Sequence, residues 1–296
     1  MRPRRLGLLL LLLITAIPAL AQGRAECGSL PSKILHRPVR YCALLPSGFD
    51  NAASNQHKYA ILYYLHGRGD NEQTLINSGS WSLIEDLRKQ KKIGDFVIVT
   101  PQAGSSFYVN SADGKERYSD FFLREFMPFA ERKYRIEGTR ESRGVDGMSM
   151  GGYGALRFAF AHPELFASVS AHSAALLDEP PRMLNAAIRA GEPQALMLAE
   201  VFGNPIEPAH WQQNSPFALA KNNAAAIRGL HIYFDCGDRD DFGFDRGAKL
   251  LDQELTSEHV PHEFHLYPGG HDLAYLLSHI GASIEFSSKH LASPAQ

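Results

Sequence analysis

The stretch Arg143-Gly144-Val145-Asp146-Gly147-Met148-Ser149-Met150-Gly151-Gly152-Tyr153-Gly154 decides how the rest of the chain is read. It holds a G-x-S-x-G motif, Gly147 to Gly151, the only one in the 296 residues. A short strand-like segment, Arg143 to Asp146, runs into it, and a helix of small residues, Gly151 to Ala161, leads out of it. A serine on a sharp strand-to-helix turn forms a nucleophile elbow. Glycines two before and two after the serine let the backbone turn sharply and pack against its neighbours. The elbow presents the serine at the carboxyl end of a sheet, above a helix N-terminus that favours negative charge. Ser149 is therefore the candidate nucleophile.

A serine hydroxyl is a weak nucleophile without a base, and the base needs an acid to orient it. On this topology the expected chain order is serine, then acid, then histidine. Downstream, the apolar run Leu230 to Phe234 ends in Asp235-Cys236-Gly237-Asp238-Arg239-Asp240-Asp241-Phe242, and His262 to Tyr267 ends in Pro268-Gly269-Gly270-His271-Asp272. Both clusters follow strand-like segments, in the required order. His271 is the candidate base. Four aspartates compete for the acid: Asp240 is preferred because it lies past the Gly237 turn, where a side chain reaches back toward a histidine, with Asp241 and then Asp238 as alternatives. Upstream, the aromatic-rich run Tyr59 to Leu65 ends in His66-Gly67-Arg68-Gly69. The loop after that strand supplies one oxyanion amide and the residue after the nucleophile the other, so the expected donors are the backbone N–H groups of Arg68 and Met150. His66 and Gly67 are candidate substrate contacts, with a plain tight turn as the bland alternative.

Outward from these motifs, short apolar runs alternate with amphipathic ones. Strands are expected at Val39 to Leu45, Tyr59 to Leu65, Phe96 to Thr100, Arg143 to Asp146, Phe166 to Ser170, Leu230 to Phe234 and His262 to Tyr267. Helices are expected at Trp81 to Gln90, Asp120 to Tyr134, Gly151 to Ala161, Phe244 to Ser257 and Asp272 to Leu291. Pro128 falls inside the second of these and is expected to kink it. Phe121 to Phe129 follow helical spacing and belong to the core. The alternation predicts βαβ units, hence an α/β fold with a mainly parallel sheet covered by helices on both faces. Ser173 to Arg228 breaks the rhythm with helical pieces and turns but no clear strand, and reads as a helical insertion over one end of the sheet. Trp211 within it either stacks on an acyl group or sugar or anchors the insertion to the body of the domain.

The first residues stand apart. Arg2, Arg4 and Arg5 precede the apolar run Leu6 to Leu20, and Ala19-Leu20-Ala21 gives the small-x-small pattern of a signal-peptidase site. Residues 1–21 are expected to be a signal peptide and 22–296 a single domain, secreted or periplasmic and without stable membrane insertion after cleavage. Export makes Cys27 and Cys42 candidates for a disulfide, while Cys236, at the end of an apolar strand, reads as a small buried hydrophobe. The formal charge of −2 and the pI near 6.7 carry none of the basic footprint of a nucleic-acid binder. His259, His262 and His265 are not expected to hold a metal, because 262 and 265 fall on opposite faces of a strand. Asn110, Ser111 and Asp113 read as a surface turn. Oligomeric state is not legible.

Taken together, Leu65-His66-Gly67, the elbow Gly147 to Gly154, the Asp235-Cys236-Gly237 loop and Gly269-Gly270-His271-Asp272 resemble the putative-esterase family of α/β-hydrolases. That family includes S-formylglutathione hydrolase, feruloyl and acetyl-xylan esterases and mycolyltransferases. The resemblance runs from about Pro38 to Leu291. It implies a single α/β-hydrolase domain that hydrolyses without a cofactor, with the nucleophile at Ser149, the histidine at His271 and the acid, three residues past the loop glycine, at Asp240. It does not choose among members, although an export signal fits the cytosolic S-formylglutathione hydrolases poorly and their relatives tend to carry another residue in place of His66. Three readings follow: a serine esterase acting on small-molecule, carbohydrate or lipid esters, an acyltransferase with the same triad, and a non-catalytic binding protein on a hydrolase scaffold.

Overall fold

The computed structural model describes residues 23–51, 57–178 and 181–292. The expected signal peptide, 1–21, lies outside the described residues. Eight strands form one sheet: β1 (Arg24–Pro31), β2 (Pro38–Leu45), β3 (Ala60–Leu65), β4 (Phe96–Pro101), β5 (Arg143–Gly147), β6 (Ser168–His172), β7 (His231–Gly237) and β8 (Glu263–Tyr267). Their spatial order is β1-β2-β4-β3-β5-β6-β7-β8. The pairs β1–β2 and β2–β4 are antiparallel and the other five are parallel. The sheet is thus mainly parallel, as the alternation of elements predicts, with an antiparallel hairpin at one edge.

The central strands are buried on both faces, so they read as continuous apolar runs. Within β3, Ile61, Tyr63 and Leu65 point into the larger core, while Ala60, Leu62 and Tyr64 point into a second core on the opposite face. The larger core is completed by helical residues of Tyr118–Phe121, Met150–Ala161 and Phe244–Ser257. The smaller one is completed by Ser80–Lys89 and Leu273–His290. Helices therefore cover both faces.

The strand order reverses at one place. From β3 the chain moves outward to β4, then crosses back over to β5 on the other side of β3. Loops leaving the carboxyl ends of β3 and β5 diverge there, and the crevice between them is where open α/β sheets bind ligands. The loop after β3 carries His66 to Gly69 and the turn after β5 carries Ser149.

Two expectations are revised, and the helical insertion is found as expected. Strand β1 lacks the alternating apolar pattern of a strand. It forms nonetheless because it pairs along its whole length with β2, and the pairing brings Cys27 opposite Cys42 in a disulfide. Pro128 does not interrupt a regular helix. The helical stretch runs as Tyr118–Phe121, a π-helical turn Phe122–Phe126 and Met127–Lys133, so the regular ladder gives way to a wider turn just before Pro128, which has no N–H to offer it. The insertion after β6 consists of Pro181–Ala190, Pro193–Phe202, Pro208–Asn214, Pro216–Asn222 and Ala224–Ile227, each helical.

The Cys27–Cys42 bond closes a short loop, with a sequence separation of 15. Its loss removes a constraint on the unfolded chain worth about 3 kcal/mol at this loop length. A Cys27→Ala/Cys42→Ala variant is expected to lose about that much unfolding free energy in urea, with a lower midpoint and a slightly larger m-value because its unfolded chain is less constrained. A midpoint equal to that of the unsubstituted protein would show that the disulfide adds nothing.

Candidate active site

The turn after β5 is held by contacts that only glycine permits. A Cβ at Gly151 would lie 1.8 Å from the carbonyl oxygen of Leu65, and one at Gly147 would lie 2.5 Å from the backbone of Gly151. The elbow therefore closes directly onto the end of β3. Ser149 at its apex has φ 57° and ψ −118°, a conformation that costs a non-glycine residue about 1–3 kcal/mol. Its backbone is fixed from both sides. Its N–H donates to the His172 carbonyl (2.9 Å), and its own carbonyl accepts from Tyr153 (2.9 Å) and Ala175 (3.0 Å). Met150, the next residue, begins the helix.

The four competing aspartates separate cleanly. Asp240 Oδ2 lies 2.7 Å from His271 Nδ1, and its Oδ1 accepts from the amides of Phe242 (2.9 Å) and Phe244 (3.3 Å). Asp241 accepts from the backbone N–H of His271 (3.2 Å), and Asp238 from that of Gly269 (3.0 Å). Both brace the histidine loop without touching the ring. Asp235 points the other way, into a buried cluster with His172. Burial raises the Asp240 carboxyl, but the hydrogen bond and charge of His271 and the two amides outweigh this and hold its pKa below the usual value. The carboxylate is therefore ionised and suited to accept from Nδ1–H, which leaves Nε2 as the ring nitrogen free to take a proton. Phe242 and Phe244 pack edge-on against the His271 ring at 4.8 and 5.4 Å.

Cys236 is fully buried, as the bland reading expects. Its thiol donates to Asp240 Oδ2 at 3.6 Å, and burial followed by the nearby Asp240 charge pushes its pKa well up. It is thus an un-ionised packing and donor group at the carboxylate that meets His271. Nothing in the sequence signalled that contact.

Ser149 and His271 both line two cavities that meet between them. The larger, about 830 Å³, is walled by apolar side chains including Phe107, Leu177, Leu184, Ala187, Leu198 and Phe242. Four of these come from the insertion and its approaches. The smaller, about 370 Å³, is of mixed character, with Asp70, Thr74, Asn77, Ser78 and Asp272 beside Tyr64, Met148, Leu273 and Leu276. Arg68 lines both, and Gly67 lines the smaller one, its Cα directly facing the elbow.

Two expected substrate contacts lie elsewhere. His66 is completely buried and lines neither cavity. Its Nε2 accepts the Ala103 N–H (2.9 Å), so Nδ1 carries the proton and donates to the Gly67 carbonyl (2.8 Å). Burial depresses its pKa, and the neutral ring that results pins the loop after β3 to the segment after β4. Trp211 is also buried, edge-on against Phe202 at 4.8 Å, and anchors the insertion. In both cases packing claimed the side chain, the plainer of the two readings offered for each. His262, one of the three spaced histidines, bonds Asp252 (3.0 Å) and the Val260 carbonyl (2.8 Å). Among the described residues no group of three or more His, Cys, Asp or Glu is arranged to hold a metal.

Fold and elbow together define an α/β-hydrolase. A family model described as "Putative esterase" matches residues 32–282, and the chain belongs to that family. Esterase Rv1288 of Mycobacterium tuberculosis is 29% identical over 247 residues, covering 77% of this chain and 51% of the relative, so the chain spans about half of that protein's length. An acetyl esterase of Caldicellulosiruptor saccharolyticus is 26% identical over 271 residues, covering 87% of this chain and 96% of the relative. Among solved structures, a ferulic acid esterase superposes with a TM-score of 0.77 at 27% identity, over 92% of this chain and 99% of that one.

Proposed function

We propose that the chain is an exported serine hydrolase that cleaves carboxylic esters through Ser149, His271 and Asp240. The observation that carries this reading is the 2.7 Å Asp240–His271 pair facing the same cleft as a serine held at φ 57°. Ser149 Oγ attacks the acyl carbon while His271 Nε2 takes its proton. Asp240 holds the imidazole in the tautomer this requires and stabilises the imidazolium. The amides of Arg68 and Met150 bind the oxyanion. The alcohol departs with the proton from His271, leaving an acyl-enzyme, and water repeats the sequence to release the acid. Membership of the esterase family and the acetyl and ferulic acid esterase relatives support the reaction class. The Cys27–Cys42 disulfide supports export, since such bonds persist in oxidising compartments. Among the described residues no helix is long and apolar enough to cross a membrane.

The two cavities suggest how an ester lies across the site. The larger, apolar one suits the acyl group, and the smaller, with its carboxylates and hydroxyls along one side, suits an alcohol bearing further hydroxyls. Turnover of p-nitrophenyl acetate through octanoate, beside Ser149→Ala, tests the reaction class. Inertness of the unsubstituted protein toward both these esters and a fluorophosphonate label would refute it. Ala187→Trp tests the acyl assignment by filling part of the apolar cavity. It is expected to lower kcat/KM for octanoate at least tenfold, about 1.4 kcal/mol, and to leave acetate within about threefold. An equal loss on both esters would show that the acyl chain lies elsewhere.

A further inference from the structure

Beneath the elbow lies a cluster of buried polar side chains that the ester-cleaving mechanism does not use. His172, Asp146, Asp235 and Ser283 are all buried, with at most 1% of any exposed, and the hydroxyls of Tyr233 and Tyr275 join them. His172 Nδ1 lies 2.9 Å from Asp235 Oδ2, and its Nε2 lies 2.8 Å from Ser283 Oγ. Ser283 Oγ in turn lies 2.8 Å from Asp146 Oδ2, whose other oxygen accepts the Gly147 N–H at 2.7 Å. Tyr233 and Tyr275 donate to the two oxygens of Asp235 at 2.9 and 2.7 Å.

The sequence positions of these residues give the cluster its meaning. Asp146 is the last residue before the elbow. Asp235 lies five residues before Asp240, and its carbonyl accepts the N–H of Ser173 at 2.8 Å. Tyr275 lies four residues after His271, at the start of the helix that also carries Ser283. The His172 carbonyl takes the Ser149 N–H itself. One hydrogen-bonded unit therefore touches every segment that bears a member of the proposed triad.

Hydrogen bonding and charge together select a charged histidine. A neutral ring donating to Asp235 would have to accept from Ser283, and Asp146 Oδ2 would then lose its donor unless Asp146 itself took up the proton, which would leave the buried Asp235 carboxylate with no countercharge. An imidazolium donates from both nitrogens, so Ser283 is free to donate onward to Asp146, and each member is satisfied. Burial opposes the charge on His172, but the Asp235 carboxylate, then the hydrogen bond to it and the Asp146 charge, prevail and push its pKa up to about 9. Burial drives Asp146 upward and the His172 charge works against this. Asp235 is held below its usual value against its own burial, chiefly by His172. The titratable groups facing His172 are Asp146 on β5, Asp235 and Tyr233 on β7, and Tyr275 with the more distant His279 on the last helix.

We infer that His172 is a positioning residue: as an imidazolium it ties Asp146 to Asp235 through Ser283 and so sets the elbow, the acid loop and the histidine loop in register for reaction. The inference rests on the Ser149–His271–Asp240 reading. Because the folded-state pKa of His172 is raised, its contribution is complete below about pH 6.5, its unfolded value, and is lost as pH rises through about 9.

The test uses the full chain and three measurements on the same samples. Nitrogen-15 histidine NMR, with His172→Gln to assign the signal, reads the charge state. Steady-state kinetics on Ser283→Ala and Tyr275→Phe between pH 6 and 10, with Ser283→Thr as the conservative rescue, reads positioning. Thermal melts read folding. The expected result is an imidazolium signal at pH 7, a roughly tenfold fall in kcat with KM within twofold for Ser283→Ala, partial recovery in Ser283→Thr, and an alkaline limb of kcat that moves to higher pH in Tyr275→Phe, where loss of the phenol donor leaves Asp235 a stronger base toward His172. A neutral His172 at pH 7 overturns the proposal. So do variants whose melting points fall while kcat and its pH profile stay those of the unsubstituted protein. If the unsubstituted protein neither turns over esters nor takes a fluorophosphonate label, it is the triad reading that fails, and the NMR result still reports the charge on its own.

Discussion

Ser149→Ala is expected to lower kcat for p-nitrophenyl esters by about 10⁵-fold, with an unchanged melting temperature and an intact Asp240–His271 pair. The size follows from the division of labour in a triad: nucleophile and base act as one unit, and removing either loses nearly all that both supply, leaving only the rate that binding and the oxyanion amides provide. Removing Oγ touches nothing else, since the Ser149 backbone is held by His172, Tyr153 and Ala175. Relief of strain does not follow either, because alanine at φ 57° is no more comfortable than serine. The aspartates supply an internal control. Asp240→Asn is expected to cost about 10⁴-fold, since the amide presents a donor to Nδ1 and stabilises the wrong tautomer. Asp241→Asn and Asp238→Asn each weaken only an amide contact in the histidine loop and are expected to stay within about tenfold. A larger loss in Asp241→Asn than in Asp240→Asn would move the acid one residue along the loop. Retention of most activity in Ser149→Ala would remove the proposed chemistry altogether.

The reach of the sequence differs between parts of this molecule for physical reasons. Buried parallel strands announce themselves, since both faces must be apolar. Tyr59 to Leu65 and Phe96 to Thr100 are therefore visible within a residue of their observed ends. The elbow is visible because its glycines are obligatory, and the order of the acid and histidine loops is visible because each ends a strand. β1 was missed because it lies at the sheet edge, half exposed and held by its partner and a disulfide rather than by its own pattern. Single side chains in loops were the hardest. Among four aspartates within seven residues, only packing decides which meets a ring and which meets an amide. His66 was offered as a substrate contact from its place after β3, but the amide of Ala103, which no local pattern reveals, takes its ring nitrogen. The His172 cluster was invisible for the same reason: its members are spread from Asp146 to Ser283 and meet only in the folded sheet.

The second large effect is expected at Gly151, and the argument is steric. Its backbone φ is ordinary for a helix, so conformational freedom is not what the position demands. The demand is contact. An alanine Cβ would sit 1.8 Å from the Leu65 carbonyl oxygen, far inside the 3.0 Å below which some group must move, and 2.9 Å from that of His66. The obstacle is backbone at the end of β3, in the middle of the sheet, and it cannot rotate away as a side chain can. Either the helix beginning at Met150 lifts off the sheet or β3 is displaced, and each disturbs the fully buried cores on both sides. Overpacking of this kind costs several kcal/mol, so Gly151→Ala is expected to melt at least about 10 °C lower, and any folded fraction should react slowly with a fluorophosphonate because Ser149 moves with the helix. Gly281→Ala is the matched control. That residue sits inside the Leu273–His290 helix, and an added Cβ would make only ordinary contacts at 3.6 and 3.9 Å, with Leu83 and Leu87. There the same substitution should stabilise by about 0.5–1 kcal/mol, through helix propensity and a less flexible unfolded chain. Opposite signs for one chemical change at two helical glycines would establish that close approach to β3 fixes the elbow. A Gly151→Ala variant that melted and labelled like the unsubstituted protein would show that the elbow has slack, and that the position of Ser149 is set by something other than this contact.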